Sequence, residues 1–194
     1  MPNIYLVAGC NGAGKTTASY TMLPEMLECK EFVNADSIAA GISPFQPESV
    51  SFEAGRIMLQ RIEQLVKSKI DFAIETTLSS KNYLSKAKEW QKQGYEIILI
   101  FFWLNNPSLA IERIAERVRK GGHFIPGDIV IRRYHRGLKN LFNHFIPLSD
   151  YWLLIDNSNE TPIIIAEGIK DIELEIFYED IWTKIKEHYN EKQN

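Results

Sequence analysis

Apolar residues along the chain fall into five short blocks, separated by stretches in which they recur every three or four positions. The blocks lie at residues 4–8, 32–34, 72–76, 97–103 and 152–155, with a weaker sixth at 163–166. Blocks this short and this apolar read as strands buried on both faces. The intervening period is helical, as in Ala54, Ile57, Met58, Ile62, Leu65 and Val66, or Ile111, Ile114, Ala115 and Val118. Strand and helix alternate, which predicts an α/β three-layer sandwich around a mainly parallel five-stranded sheet, because parallel neighbours need helical crossovers that cover both faces. Ligands of such sheets bind at the carboxyl ends of the strands. Turn residues place a loop at 41–47, and Gly121-Gly122 splits the basic stretch after the fourth strand into two helices, with Pro126 suited to opening the second.

Composition adds bounds. With 194 residues, 45% hydrophobic and 24% charged, the chain is expected to form one globular domain over 1–194. Its longest apolar run, 97–104, is far short of the roughly 20 residues that span a bilayer. Met1-Pro2-Asn3 lacks the basic start of a secretory signal, and two cysteines, Cys10 and Cys29, suit a reducing compartment. A cytoplasmic protein with no membrane association is the expectation. The net charge of −3 gives no support to a nucleic-acid-coating role, yet the charge is uneven. Residues 107–145 hold eight Lys or Arg against three acids, whereas 156–194 hold four lysines against ten acids. The basic segment calls for an anionic ligand.

The first apolar block runs directly into Gly9-Cys10-Asn11-Gly12-Ala13-Gly14-Lys15-Thr16-Thr17, which fits the spacing G-x-x-x-x-G-K-S/T between a strand and a helix. Such a loop wraps a phosphate chain with inward-pointing amides and sets a helix N-terminus against the same anion. ATP with Mg²⁺ is the expected ligand, Lys15 reaching the β and γ phosphates and Thr16 holding the metal. Cys10, beside Lys15 and a helix N-terminus, is in a setting that favours the thiolate. The competing reading is a small buried apolar residue.

Asp36 follows the second block and Glu75 closes the third, so both carboxylates emerge at the phosphate-loop edge. Either fits a phosphotransferase, which needs a group to take the proton of the incoming hydroxyl. Asp36 also fits a helix N-cap, and Glu75 an ion pair with a lysine or arginine. Arg113, Arg117 and Lys120 lie at i, i+4 and i+7 on one predicted helix, and Arg132, Arg136 and Lys139 repeat that spacing on the next. Together they predict a basic helical lid over 107–145, against the blander reading of solvated faces; His123 fits a phosphate contact or a turn. The run Trp152-Leu153-Leu154-Ile155-Asp156 has the pattern of an ATPase magnesium site, but Asn157 and Ser158 follow where a water-polarising Glu would stand. As a last-strand exit, Asn157 is expected to border the adenine.

These motifs in combination resemble the zeta-toxin family of small phosphate-loop kinases. The residues that carry the likeness are Gly12-Ala13-Gly14-Lys15-Thr16-Thr17, Val33-Asn34-Ala35-Asp36, Ile74-Glu75-Thr76-Thr77, Arg117-Val118, Gly121-Gly122-His123-Phe124-Ile125-Pro126 and Arg132-Arg133-Tyr134. The resemblance implies an adenylate-kinase-like core that transfers the γ-phosphoryl of ATP, in characterised toxins to the 3'-hydroxyl of a UDP-activated N-acetyl amino sugar. It implies Asp36 as catalytic base and Glu75 as substrate-contacting acid, with Thr76 and Arg136 beside the acceptor. Arg117 matches the first lid arginine, and Arg132 or Arg133 the second. An antitoxin protein is the candidate macromolecular partner. A nucleic-acid 5'-end kinase and a nucleotide-dependent switch or transport ATPase are the alternatives. The acidic segment after Ser158 has no counterpart in the resemblance.

Overall fold

The structure is a computed structural model that describes residues 1–122 and 124–190. The elements are β1 (Asn3–Gly9), α1 (Lys15–Thr21), β2 (Phe32–Val33), α2 (Ala35–Ile42), α3 (Ser51–Ser68), β3 (Phe72–Thr76), α4 (Asn82–Lys92), β4 (Glu96–Trp103), α5 (Pro107–Arg119), α6 (Gly127–Asn140), α7 (Ile146–Leu148), β5 (Tyr151–Asp156), β6 (Ile163–Ile169), β7 (Glu173–Ile176) and α8 (Glu179–Asn190). All strands join one sheet in the order β2-β3-β1-β4-β5-β6-β7. The first five in that order run parallel. β6 and β7 add antiparallel at one edge. The five-stranded expectation therefore describes the parallel core, and the full sheet has seven strands.

Central strand β1 shows why the core forms here. Ile4, Tyr5, Leu6, Val7 and Ala8 are all buried. Successive strand residues point to opposite faces, so helices must cover both. The parallel register then sets what meets at the carboxyl edge. Val7 pairs with Glu75 and Ala8 with Thr76, while Val33 pairs with Ile74, so Asn34 leaves β2 level with Glu75. On the other side Gly9 pairs with Phe102, and Trp103 with Asp156. The turn after β1 lies between these two exits.

The acidic C-terminal part is folded against the core. Trp182 of α8 stacks on Trp152 at 6.0 Å between ring centroids, and Phe142 meets Trp182 edge-on at 5.6 Å. Among the described residues no helix is long and apolar enough to cross a membrane.

Helix α6 is seated unusually close to the turn after β3. Leu78 in that turn has φ 51°, a left-handed conformation rare for leucine, and its N–H donates to Thr76 Oγ1 at 3.1 Å. Asn140 Nδ2 donates to Leu78 O at 2.6 Å. A Cβ on Gly137 would lie 2.8 Å from Thr77 O. Alanine there adds up to about 1 kcal/mol of helix propensity but forces two backbones apart. Gly137→Ala is expected to destabilise the protein by about 1–3 kcal/mol, read from the urea unfolding midpoint. Stability equal to wild type would contradict the close seating of α6.

Candidate active site

The turn from β1 to α1 is closed by Ala13 N donating to Cys10 O at 3.2 Å and Ala18 N donating to Gly14 O at 3.0 Å. Gly14 has φ 83°, and a Cβ there would lie 2.3 Å from Asn157 Nδ2, so both backbone and space demand glycine. Gly9 and Gly12 also have positive φ, Ala13 is buried, and Thr17 is exposed on α1. Asn157 Nδ2 donates to Ala13 O at 2.7 Å. Arg113 braces Asn157 in turn, its guanidinium donating to Asn157 O at 2.8 Å and Ser158 O at 3.1 Å. Asn157 thus touches the phosphate loop itself. Asp156, also buried, accepts from Ser158 N at 2.8 Å and from Ser158 Oγ, so its Oδ1 is committed to the local turn.

Glu75 gathers the other side of the loop. Its Oε2 accepts from Thr16 Oγ1 at 2.7 Å and from Asn34 Nδ2 at 2.7 Å, and Oε1 lies 3.6 Å from Lys15 Nζ. Lys15 also donates to Cys10 O at 2.9 Å. Lys15 is 5% exposed and the Glu75 side chain 12%, so a charge pair is held largely away from water with every charged end partnered. The ion-pair reading of Glu75 holds, and the partner belongs to the phosphate loop.

Asp36 is not the helix cap. Asn34 is the cap of α2, its Oδ1 accepting from Asp36 N at 2.8 Å and Ser37 N at 3.2 Å. A cap of this kind is worth about 1 kcal/mol. The Asp36 side chain lies exposed in the first turn of α2, on the far side of β3 from the turn that carries Lys15 and Thr16. Thr76, half-buried, shapes the turn after β3.

The basic helices divide by face. Arg133 Nη1 donates to Asn11 Oδ1 in the phosphate loop at 2.9 Å, and Asn11 is buried. Tyr134, next along α6, donates its hydroxyl to Leu104 O at 2.7 Å, and burial drives its pKa upward. With Gly137 and Asn140, these residues fasten α6 to the exits of β3 and β4. Arg132 and Arg136 are exposed. Arg117 is exposed in the last turn of α5, where its carbonyl accepts Gly122 N at 2.9 Å. His123 lies outside the described residues. The structure thus brings Arg133 to the loop. Arg113, placed by its spacing on the predicted lid face, has its partners 44 and 45 residues away at Asn157 and Ser158, and the role missed in the sequence is that of Asn34, whose capping position before Ala35-Asp36-Ser37 is a readable signal.

Cys10 follows its apolar reading and not the thiolate one. The side chain is buried, and burial pushes the thiol up to about 11, outweighing the opposite pull of Lys15. Removal from water disfavours the thiolate more than the neighbouring ammonium favours it. Cys10 behaves as a small apolar residue of the loop.

Comparison with known proteins agrees with this geometry. The chain matches the sequence profile of the Zeta toxin family over residues 1–145. An uncharacterized protein of Haemophilus influenzae is 32% identical over 127 residues, which is 65% of this chain and 88% of that one. Among solved structures, the AvrRxo1-ORF1:ORF2 complex with ATP aligns at TM-score 0.75 and 15% identity over 95% of this chain, which spans only 63% of that chain. The PezAT toxin-antitoxin system of Streptococcus pneumoniae aligns at TM-score 0.62 and 14% identity, covering 98% of this chain and 86% of that one. Shikimate kinase from Acinetobacter baumannii, in complex with shikimate, aligns at TM-score 0.51 and 19% identity over 83% of this chain and 86% of that one. At these identities the structures establish a shared phosphate-loop kinase fold.

Cys29 is also buried, with its thiol raised to about 11. At pH 8 a thiol of this pKa is about one part in a thousand thiolate. Iodoacetamide at pH 8 is expected to leave both cysteines unmodified in the native protein and to label both in urea, as counted by intact mass. Rapid native labelling of Cys10 would show that the loop opens to solvent.

Proposed function

The chain belongs to the zeta-toxin family, and from that premise we propose that it is an ATP-dependent phosphotransferase moving the γ-phosphoryl group of ATP to a hydroxyl of a small acceptor. The observation that carries the reading is the meeting of Lys15, Thr16 and Glu75 at the sheet edge where α2 presents Asp36. The phosphate chain of ATP would lie in the turn 9–16, against its amides. The Thr16 hydroxyl beside the Glu75 carboxylate is an oxygen donor set suited to Mg²⁺. When bound, the metal supplies positive charge to the phosphates in the transition state.

Lys15 is already immobilised, so its ammonium meets charge developing on the phosphates without reorganising. Asp36 takes the proton of the acceptor hydroxyl. Arg133, held on the loop by Asn11, offers a planar fork to the transferring group. Arg117, in the last turn of α5, serves as the other lid arginine. Exposed Arg132 and Arg136 suit a second, phosphate-bearing ligand, and with the family premise they support a UDP-activated amino sugar as acceptor, against Glu75, Thr76 and Arg136. The likeness to PezAT supports an antitoxin partner.

Asp36→Asn is expected to bind ATP within about twofold of wild type while transfer falls by roughly 10²-fold, the loss typical of a positioned base. Lowered ATP affinity with an unchanged maximal rate would reassign Asp36 to the metal shell. Between the neighbouring arginines, Arg133→Ala is expected to depress kcat by about 10²-fold or more, and Arg132→Ala by only a few-fold. The reverse order in steady-state kinetics would place Arg132 over the phosphates.

A further inference from the structure

Asn34 is 5% exposed, and both ends of its amide are used. Oδ1 accepts from Asp36 N at 2.8 Å and Ser37 N at 3.2 Å, while Nδ2 donates to Glu75 Oε2 at 2.7 Å. The orientation is not free to flip. A reversed amide would set its NH₂ against two backbone donors and its oxygen against a carboxylate, so all three contacts would be mismatched. An N-cap needs only the oxygen. Serine, threonine or aspartate would have capped α2 equally well, and none can both cap and donate to Glu75 in this geometry. The amide therefore carries a second job that capping does not explain.

We propose that Asn34 is a positioning residue that ties the helix bearing Asp36 to the phosphate loop through Glu75. This inference rests on the reading of Asp36 as the base. The chain of contacts is short and continuous: Thr16 Oγ1 to Glu75 Oε2, Glu75 Oε2 to Asn34 Nδ2, and Asn34 Oδ1 to the Asp36 amide. It runs from the first turn of the phosphate-binding helix to the backbone of the proton acceptor, crossing three strands whose register already sets them level. The base and the phosphate loop are thereby tied to one carboxylate. A displacement of about 1 Å between reacting groups costs up to 10²-fold in rate, so a link of this stiffness governs transfer without touching a substrate.

Asn34→Ser separates the two jobs, since serine caps a helix well but is too short to reach Glu75. The variant is expected to melt within a few degrees of wild type and to bind ATP within about twofold, while kcat falls by roughly tenfold or more. Asn34→Thr, which likewise keeps a cap oxygen and is too short to reach Glu75, is expected to lower kcat in the same way and serves if the serine variant folds poorly. The decisive measurement is a double-mutant cycle with Asp36→Asn. If Asn34 acts by placing Asp36, adding Asn34→Ser to Asp36→Asn lowers kcat by less than about twofold further. A full and independent loss in that background, or a wild-type kcat for both Asn34 variants, overturns the inference while leaving the base assigned. Asp36→Asn alone with a wild-type rate removes the base and this inference with it.

Discussion

The site is organised by one largely buried carboxylate. Glu75 takes hydrogen bonds from α1 and from the residue that caps α2, and faces the lysine of the phosphate loop at 3.6 Å. A carboxylate so placed is costly to leave unpaired, by several kcal/mol, so the protein is bound to keep all three donors around it. Those donors come from separate parts of the chain, and the parallel register is what assembles them. With β1 between β3 and β4, and β2 outside β3, the ends of β1, β2 and β3 fall level at one edge. The same carboxylate that secures the fold at this edge holds an ammonium and a hydroxyl in place at the phosphate loop.

The loop is supported from two further directions. Asn157, braced by Arg113, holds Ala13 O from the exit of β5, and Arg133 holds Asn11 from α6. Helix α6 is itself fixed to Leu104 O and Leu78 O, with Gly137 against Thr77. Helix α6 is therefore a fixed wall of the site. Preorganised donors of this kind lower a barrier because they need not move as charge develops.

Much of this was readable from the residues. The phosphate loop follows from spacing that only a strand-turn-helix satisfies, and the core strands from apolar blocks buried on both faces. β7 and α8 escaped because they are half exposed: Glu173 and Glu175 face solvent on the edge strand, and α8 contributes few buried residues, among them Trp182 and Ile185. The choice between Arg132 and Arg133 was closed to sequence reasoning. Positions 132, 136 and 139 and positions 133, 137 and 140 share one helical spacing, and only the seating of Gly137 on Thr77 decides which face meets the loop. Cys10 kept two readings in the sequence because neighbouring charge is visible there, whereas depth is not; its burial decides for the apolar one.

The central claim, that this edge transfers a phosphoryl group rather than gating or pumping, is tested most directly by following the terminal phosphate. Purified protein with Mg²⁺ and γ-labelled ATP is offered a panel of nucleotide sugars, and label is partitioned between acceptor and inorganic phosphate. The account predicts label on one acceptor, with ATP consumption rising at least about tenfold when that acceptor is present. ATP consumed to inorganic phosphate at one rate, with or without every acceptor in the panel, would contradict it.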